Sequence, residues 1–294
     1  MLASADLDTF IAPLTYPALE TETRRLAAAC PSLRVCTLGY SVCGRRIPYY
    51  IYGRGRRVAL YVAAHHASEW LTGTLLLAFA RDLIGQGTPE SGVCYVIVPM
   101  LNPDGVELAL GGPDPRHPLC ARQLRMNGGS ADFSHWQANA RGVDLNHNYS
   151  VGFSAYARLH PGGEEGGAPT LWPGPYPESE PETAALVGLI RLLRPSIILT
   201  LHTQGEEIYY SRAEATPSMH RMAAELERLT GYVAADATGT AAYGGLTEWA
   251  VRCGLPCFTL ECGKGQNPLP PASAPDVYAR LAPALFAAPA LSYL

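Results

Sequence analysis

His66 and Glu69 stand three positions apart, just past the apolar run from Val58 to Ala63. An imidazole and a carboxylate at that spacing, one at a strand end and one in the first turn of a helix, can converge on a single cation. They form the short-spacer half of a three-ligand zinc site, which needs one more ligand and keeps a position open for water. A strand-end histidine beside an unrelated carboxylate would look the same, so the pair alone fixes nothing. The third ligand has to arrive from a distant strand end, and His202, directly after the run Ile197 to Leu201, meets that condition. Hydrolysis also needs a carboxylate outside the metal's ligand set to take a proton from the attacking water. Glu261 follows Phe258, Thr259 and Leu260 in the same strand-end manner. Asp144, in a polar loop, is the candidate acidic partner for the far nitrogen of a ligating histidine.

The elements that must position these residues alternate between strand and helix periods. Helices are expected over 18–29, 69–84, 180–193, 217–230, 246–253 and 275–285, and strands over 34–38, 47–52, 58–63, 93–98, 196–201 and 256–260. From Asn102 to Asn148 the pattern dissolves into Gly, Pro, Asn and Asp, and no single regular element fits. The alternation predicts an α/β fold with a mainly parallel sheet covered on both faces. Sites in such sheets form at the carboxyl ends of strands, where His66, His202 and Glu261 all fall. With no repeat and no linker in sight, residues 1–294 are expected to form one catalytic domain; the glycine-rich stretch 161–167 is expected to be a surface loop.

Composition narrows the function classes. The 294 residues carry 22 basic and 26 acidic side chains, a net charge of −4, and are 48% apolar. No basic footprint for nucleic acid or an anionic membrane surface is present. Eight cysteines are too sparse for a disulfide scaffold in a chain able to bury a full core, and most are expected to be reduced packing residues. The start, Met1 to Leu14, carries Asp6 and Asp8 and lacks the pattern of a secretory signal, and no stretch reaches membrane-spanning length. A cytoplasmic location follows as an expectation, with a spore-associated enzyme as the alternative.

Seven ordered pieces resemble the zinc carboxypeptidases, the carboxypeptidase A-like peptidases. They are His66-Ala67-Ser68-Glu69-Trp70, Asn102-Pro103-Asp104-Gly105, Gly142-Val143-Asp144-Leu145-Asn146, Ser179-Glu180-Pro181-Glu182, Leu201-His202-Thr203, Gly244-Gly245 before Glu248-Trp249, and Thr259-Leu260-Glu261. The resemblance covers nearly the whole chain. It implies one Zn2+ per chain on His66, Glu69 and His202, Glu261 as the general base, and a single α/β/α domain whose eight-stranded, mixed, mostly parallel sheet is flanked by helices.

Departures from the digestive enzymes bear on substrate. Where those enzymes carry an Asn-Arg pair that grips a terminal carboxylate, this chain has Asn146-His147, and a neutral imidazole is no permanently charged fork. The tyrosine they bring over the substrate aligns with Thr240, although Tyr243 is close. The carbonyl-polarising arginine aligns with Gln137, leaving Arg141 or Arg125 as substitutes. Together with 139–148, Gly174-Pro175-Tyr176-Pro177, 202–209 and Glu261-Cys262-Gly263-Lys264, these departures resemble the bacterial γ-D-glutamyl-diamino acid endopeptidase branch. That branch cleaves between γ-D-glutamate and meso-diaminopimelate or lysine in cell-wall peptides, which makes a wall-derived peptide the expected partner. On this reading Asn146 and His147 orient a substrate carboxylate, Glu206 or Glu207 meets an ammonium, and Lys264, the only lysine, contacts an acidic group. For Glu206 and Glu207 a solvated surface role is the competing account, and for Lys264 a surface cation. Other functions to weigh are a general metallocarboxypeptidase, an N-acyl amino acid deacylase resembling aspartoacylase, and an inactive muropeptide-binding module.

Overall fold

A computed structural model describes residues 12–236 and 244–294. The helices among the described residues are α1 (Tyr16–Ala29), α2 (Leu71–Gly85), α3 (Pro103–Gly111), α4 (Cys120–Met126), α5 (Phe153–Leu159), α6 (Pro181–Leu193), α7 (Pro217–Thr230), α8 (Leu246–Arg252) and α9 (Ala274–Leu291). The strands are β1 (Arg34–Tyr40), β2 (Arg46–Gly53), β3 (Arg57–Ala63), β4 (Val93–Val98), β5 (Ile197–His202), β6 (Glu207–Tyr209), β7 (Val233–Ala235) and β8 (Cys257–Glu261). They form one eight-stranded sheet in the order β1-β2-β4-β3-β5-β8-β6-β7. The β4, β3, β5 and β8 block is parallel, while β1, β2 and β6 bring in antiparallel pairings.

The central strands are continuous apolar runs because both of their faces are covered. Tyr61 shows one covering layer: its ring lies 4.9 Å from that of Phe79 on α2, and its hydroxyl donates to the Leu285 carbonyl on α9 at 2.7 Å. Local signals set the helix ends. Thr15 and Thr216 accept from the backbone N–H groups of Ala18 and Met219, each ahead of a proline in the first turn, and Gly231 ends α7 at φ +70°. The main hydrophobic core draws residues from Leu14 to Leu291, and a smaller cluster gathers Ala67, Leu108, Phe133, Trp136 and Ala138.

The sequence expectations hold for the long elements to within a few residues, except that α9 runs six residues past the expected end, to Leu291. Two short strands, β6 and β7, and three short helices, α3, α4 and α5, went unread. α3 and α4 lie inside the stretch 102–148, which carries more regular structure than its composition announces. Asn102 explains α3: its side chain accepts from Gly105 N–H at 3.0 Å and caps the helix, with Pro103 in the first turn. All eight cysteines are free, and Cys94, Cys257 and Cys262 are buried packing residues.

Candidate active site

Three neighbouring parallel strands deliver the site. β3 ends at Ala63, and the chain then turns through His65 and His66 into a short helical turn at Ala67–Glu69. This turn is pinned from several sides. Leu101 and Asn102 donate backbone N–H groups to the carbonyls of Ala63 and Ala64, Thr72 bridges Ala64 N–H and the Glu69 carbonyl, and Ala67 N–H donates to the Gln137 carbonyl at 3.0 Å. β5 ends at His202 and β8 at Glu261, and these two residues are register partners. The strand-end placement expected from the sequence is therefore what the fold produces.

His66, Glu69 and His202 offer one ligand atom each, all within 4.8 Å of one another. The Glu69 carboxylate lies between the rings, with Oε1 2.9 Å from His66 Nδ1 and Oε2 3.0 Å from His202 Nδ1. Asp144 Oδ1 stands 3.2 Å from the far nitrogen of His66, Nε2, and accepts from Asn146 N–H, while Oδ2 accepts from Leu171 N–H. A proton on Nε2 shared with Asp144 leaves the Nδ1 lone pair facing Glu69, the tautomer a metal ligand needs. His202 Nε2 is buried without a hydrogen-bond partner among the described residues. Two imidazoles and one carboxylate converging in this way fit a zinc ion. His65 does not join them: burial holds it well below the usual histidine range, and its ring nitrogens face the Tyr149 and Thr200 hydroxyls.

Charges around the centre oppose burial. Burial alone would raise the Glu69 carboxyl, yet His66 and His202 bring it down to about 2. Burial likewise works against the charged form of His66, and Glu69 and Asp144 outweigh it, so its proton affinity rises. For Glu261 the balance falls the other way, since burial and then the Glu69 charge push it well above the carboxylate range. Its carboxylate lines a cleft of about 610 Å³ together with Asn146, Gly244, Gly245 and Thr259.

The remaining residues singled out from the sequence occupy varied places. Asn146 lines the cleft, while His147 is buried beneath it, its ring stacked 4.0 Å from that of Tyr156. Gln137 sits against the metal-side turn through its backbone, and its side-chain carbonyl accepts from the Thr170 hydroxyl. Arg141 pairs with Glu180 at 3.5 Å and lines a separate depression with Trp172 and Tyr176; Arg125 pairs with Glu165 at the surface. Glu206 and Lys264, read as contacts for opposite charges of a substrate, lie 3.0 Å from each other, and Arg280 takes the second Glu206 oxygen. Glu207 accepts from the Tyr209 hydroxyl. Tyr243 and Thr240 lie outside the described residues. Sequence reasoning missed Arg212, Glu214 and Arg252, which line the cleft from a loop and a helix and carry no motif spacing. Glu248 lines it too and was noted only as part of a motif.

The family model described as zinc carboxypeptidase matches residues 19–274, and the chain belongs to that family of metallopeptidases. It is 30% identical over 277 residues to a γ-D-glutamyl-L-diamino acid endopeptidase 1 of Lysinibacillus sphaericus, covering 90% of this chain and 69% of the relative. It is 28% identical over 211 residues to murein peptide amidase A of Escherichia coli, covering 70% and 71%. The carboxypeptidase A structure from Helicoverpa armigera superposes with a TM-score of 0.73 at 20% identity, over 96% of this chain and 74% of that one, a likeness of fold. No described helix is long and apolar enough to cross a membrane.

Proposed function

We propose that the chain hydrolyses the amide bond between γ-D-glutamate and a diamino acid in bacterial cell-wall peptides, with His66, Glu69 and His202 holding one zinc ion and Glu261 moving the proton. The observation that carries this reading is the meeting of the three ligands with Glu261 at the carboxyl ends of β3, β5 and β8, where the cleft opens. The wall-peptide substrate is supported by the relatives named for a γ-D-glutamyl bond and for murein peptide. A bound zinc ion would supply Lewis acidity toward water and the scissile carbonyl.

The protein's own groups do the rest. Asp144 holds His66 in its ligating orientation. Glu261 accepts the proton of the attacking water at its carboxylate and returns it to the departing amine. Asn146 orients the substrate along the cleft. Gln137 is a neutral amide whose side-chain carbonyl is taken up by the Thr170 hydroxyl, so it brings no charge to the scissile carbonyl.

The test is to incubate the zinc-replete protein with L-Ala-γ-D-Glu-meso-diaminopimelate and, in parallel, with peptides ending in ordinary residues, reading products by mass spectrometry. Release of diaminopimelate alone is expected. Release of ordinary C-terminal residues with the γ-D-glutamyl bond left intact would assign the chain to general carboxypeptidase chemistry instead.

A further inference from the structure

The cleft that Glu261 lines also carries charges of both signs. Arg212 and Glu214 come from the segment after β6, Asp236 from the segment after β7, and Glu248 and Arg252 from α8. Two ion pairs join them across these elements. Arg252 contacts Glu214, Arg212 reaches Asp236 only at 3.9 Å, and both arginine side chains are about half exposed, at 59% and 47%. Glu248 accepts from Gly245 N–H at 2.9 Å with one oxygen, Oε2. Other walls of the same cleft are apolar or aromatic, from Val151, Ala155 and Tyr210.

This combination discriminates between side chains. An apolar tip would leave the arginines and carboxylates in water and gain nothing from them. A lysine ammonium would meet two guanidinium groups along with the carboxylates. A tip bearing an ammonium and a carboxylate on one carbon satisfies both signs, with a guanidinium fork taking the carboxylate. Opening the existing pairs to admit such a tip costs little, because half-exposed ion pairs are screened by water and add little to stability. An aliphatic stem of three methylenes would run along the apolar walls.

We propose that Arg212 and Arg252, with Glu214 and Glu248, form a zwitterion-reading pocket that selects diaminopimelate over lysine as the leaving residue. The assignment rests on the γ-D-glutamyl reading above for the identity of the leaving residue, and adds which diamino acid is taken and by which groups.

Calorimetric titration of the zinc-loaded protein with free meso-diaminopimelate, L-lysine and L-2-aminopimelate tests it. Diaminopimelate is expected to bind at least tenfold more tightly than either single-charge analogue. The Arg212→Met/Arg252→Met double variant should lose at least tenfold in diaminopimelate affinity and most of the preference. Both positions are surface side chains, and unchanged melting and circular dichroism would confirm folding; Glu214→Gln, expected to weaken diaminopimelate binding, gives a second variant of smaller charge change. Equal affinity for lysine, or a preference that survives the double variant, overturns the pocket. Tripeptide cleavage separates the two proposals. If γ-D-glutamyl peptides ending in diaminopimelate and in lysine are cut with equal kcat/KM, the pocket fails and the bond assignment stands. If neither is cut while the arginine-dependent preference for free diaminopimelate persists, the bond assignment fails and the pocket stands.

Discussion

Glu69 and Glu182 are both buried carboxylates in the first turn of a helical segment, at 3% and 0% exposure, yet their surroundings drive them in opposite directions. Burial disfavours the charge of each. Glu69 faces two imidazoles and ends at about 2, whereas Glu182 faces Asp104 and Glu180 and is pushed up to about 7. The first cluster concentrates negative charge where cations meet it. The second is a knot of acceptors. Glu182 takes Val42 N–H at 3.1 Å, Asp104 takes Cys43 N–H at 2.7 Å and Arg45 at 2.6 Å, and Glu180 takes the Asn139 amide at 2.7 Å. Asn139 also accepts from Arg141 and Val143 N–H groups, so the knot fastens the loop that carries Asp144. Burial of a carboxylate is therefore no sign of catalysis; what stands opposite it decides.

The largest effect expected from breaking the contrast lies beside the first cluster. Glu261→Gln keeps the shape of the side chain and removes the proton acceptor, so kcat should fall by about 10³-fold or more while zinc, measured by plasma mass spectrometry, stays stoichiometric. A variant that turns over normally would take the proton-moving role away from Glu261. Asp144→Asn acts one step further out. Its amide can still sit beside Asn146 N–H but no longer holds the His66 Nε2 proton with a full charge, and zinc affinity should drop about 10- to 100-fold in a chelator competition. Loss of activity with unaltered zinc affinity would show that Asp144 serves substrate and not the metal.

Most of this contrast was half legible. His66, Glu69, His202 and Glu261 stand out because strand ends are visible as apolar runs and because metal chemistry restricts residue type and spacing. Asn102-Pro103-Asp104 and Ser179-Glu180-Pro181-Glu182 stood out only as pieces of a resemblance. Their physical role needs the tertiary contacts of Val42, Cys43 and Asn139, which no local spacing encodes. β6 and β7 are three residues each, too short to show a period. α4 begins without a side-chain cap, so its start leaves no residue signature. The cleft charges are hidden for a further reason: Arg212 and Arg252 come from separate parts of the chain and line one cleft only because β6 and α8 both pack against β8.

Asn139→Ala should separate the clusters from the other side. It strips Glu180 and Glu182 of an amide donor at 2.7 and 3.4 Å, and hydrogen bonds to charged groups in such places contribute about 2 kcal/mol. Denaturant unfolding should show that loss, with a weaker effect on zinc affinity than Asp144→Asn produces. A reversed ranking, stability intact and zinc lost, would mean the knot is part of the metal site.

The smallest effect expected is in pH dependence, and its sign follows from the direction of each shift. A carboxyl raised from about 4.5 to about 7 on folding favours the folded state fully below the lower value, and this contribution is lost as pH climbs through the upper one. Glu182 should thus make the protein less stable at pH 7.5 than at pH 5, by at most about 2 kcal/mol, the Val42 hydrogen bond being already part of that balance. Glu69 works in the opposite sense, with stability present above about 4.5 and lost as pH falls toward about 2, outside that window. Glu182→Gln removes the titration and retains a side-chain carbonyl for Val42 N–H, so the difference in unfolding free energy between variant and wild type should grow in the variant's favour from pH 5 to pH 7.5. A difference that stays flat across the window would mean that Glu182 is ionised throughout and that Arg45 and Asn139 supply more compensation than the neighbouring carboxylates remove.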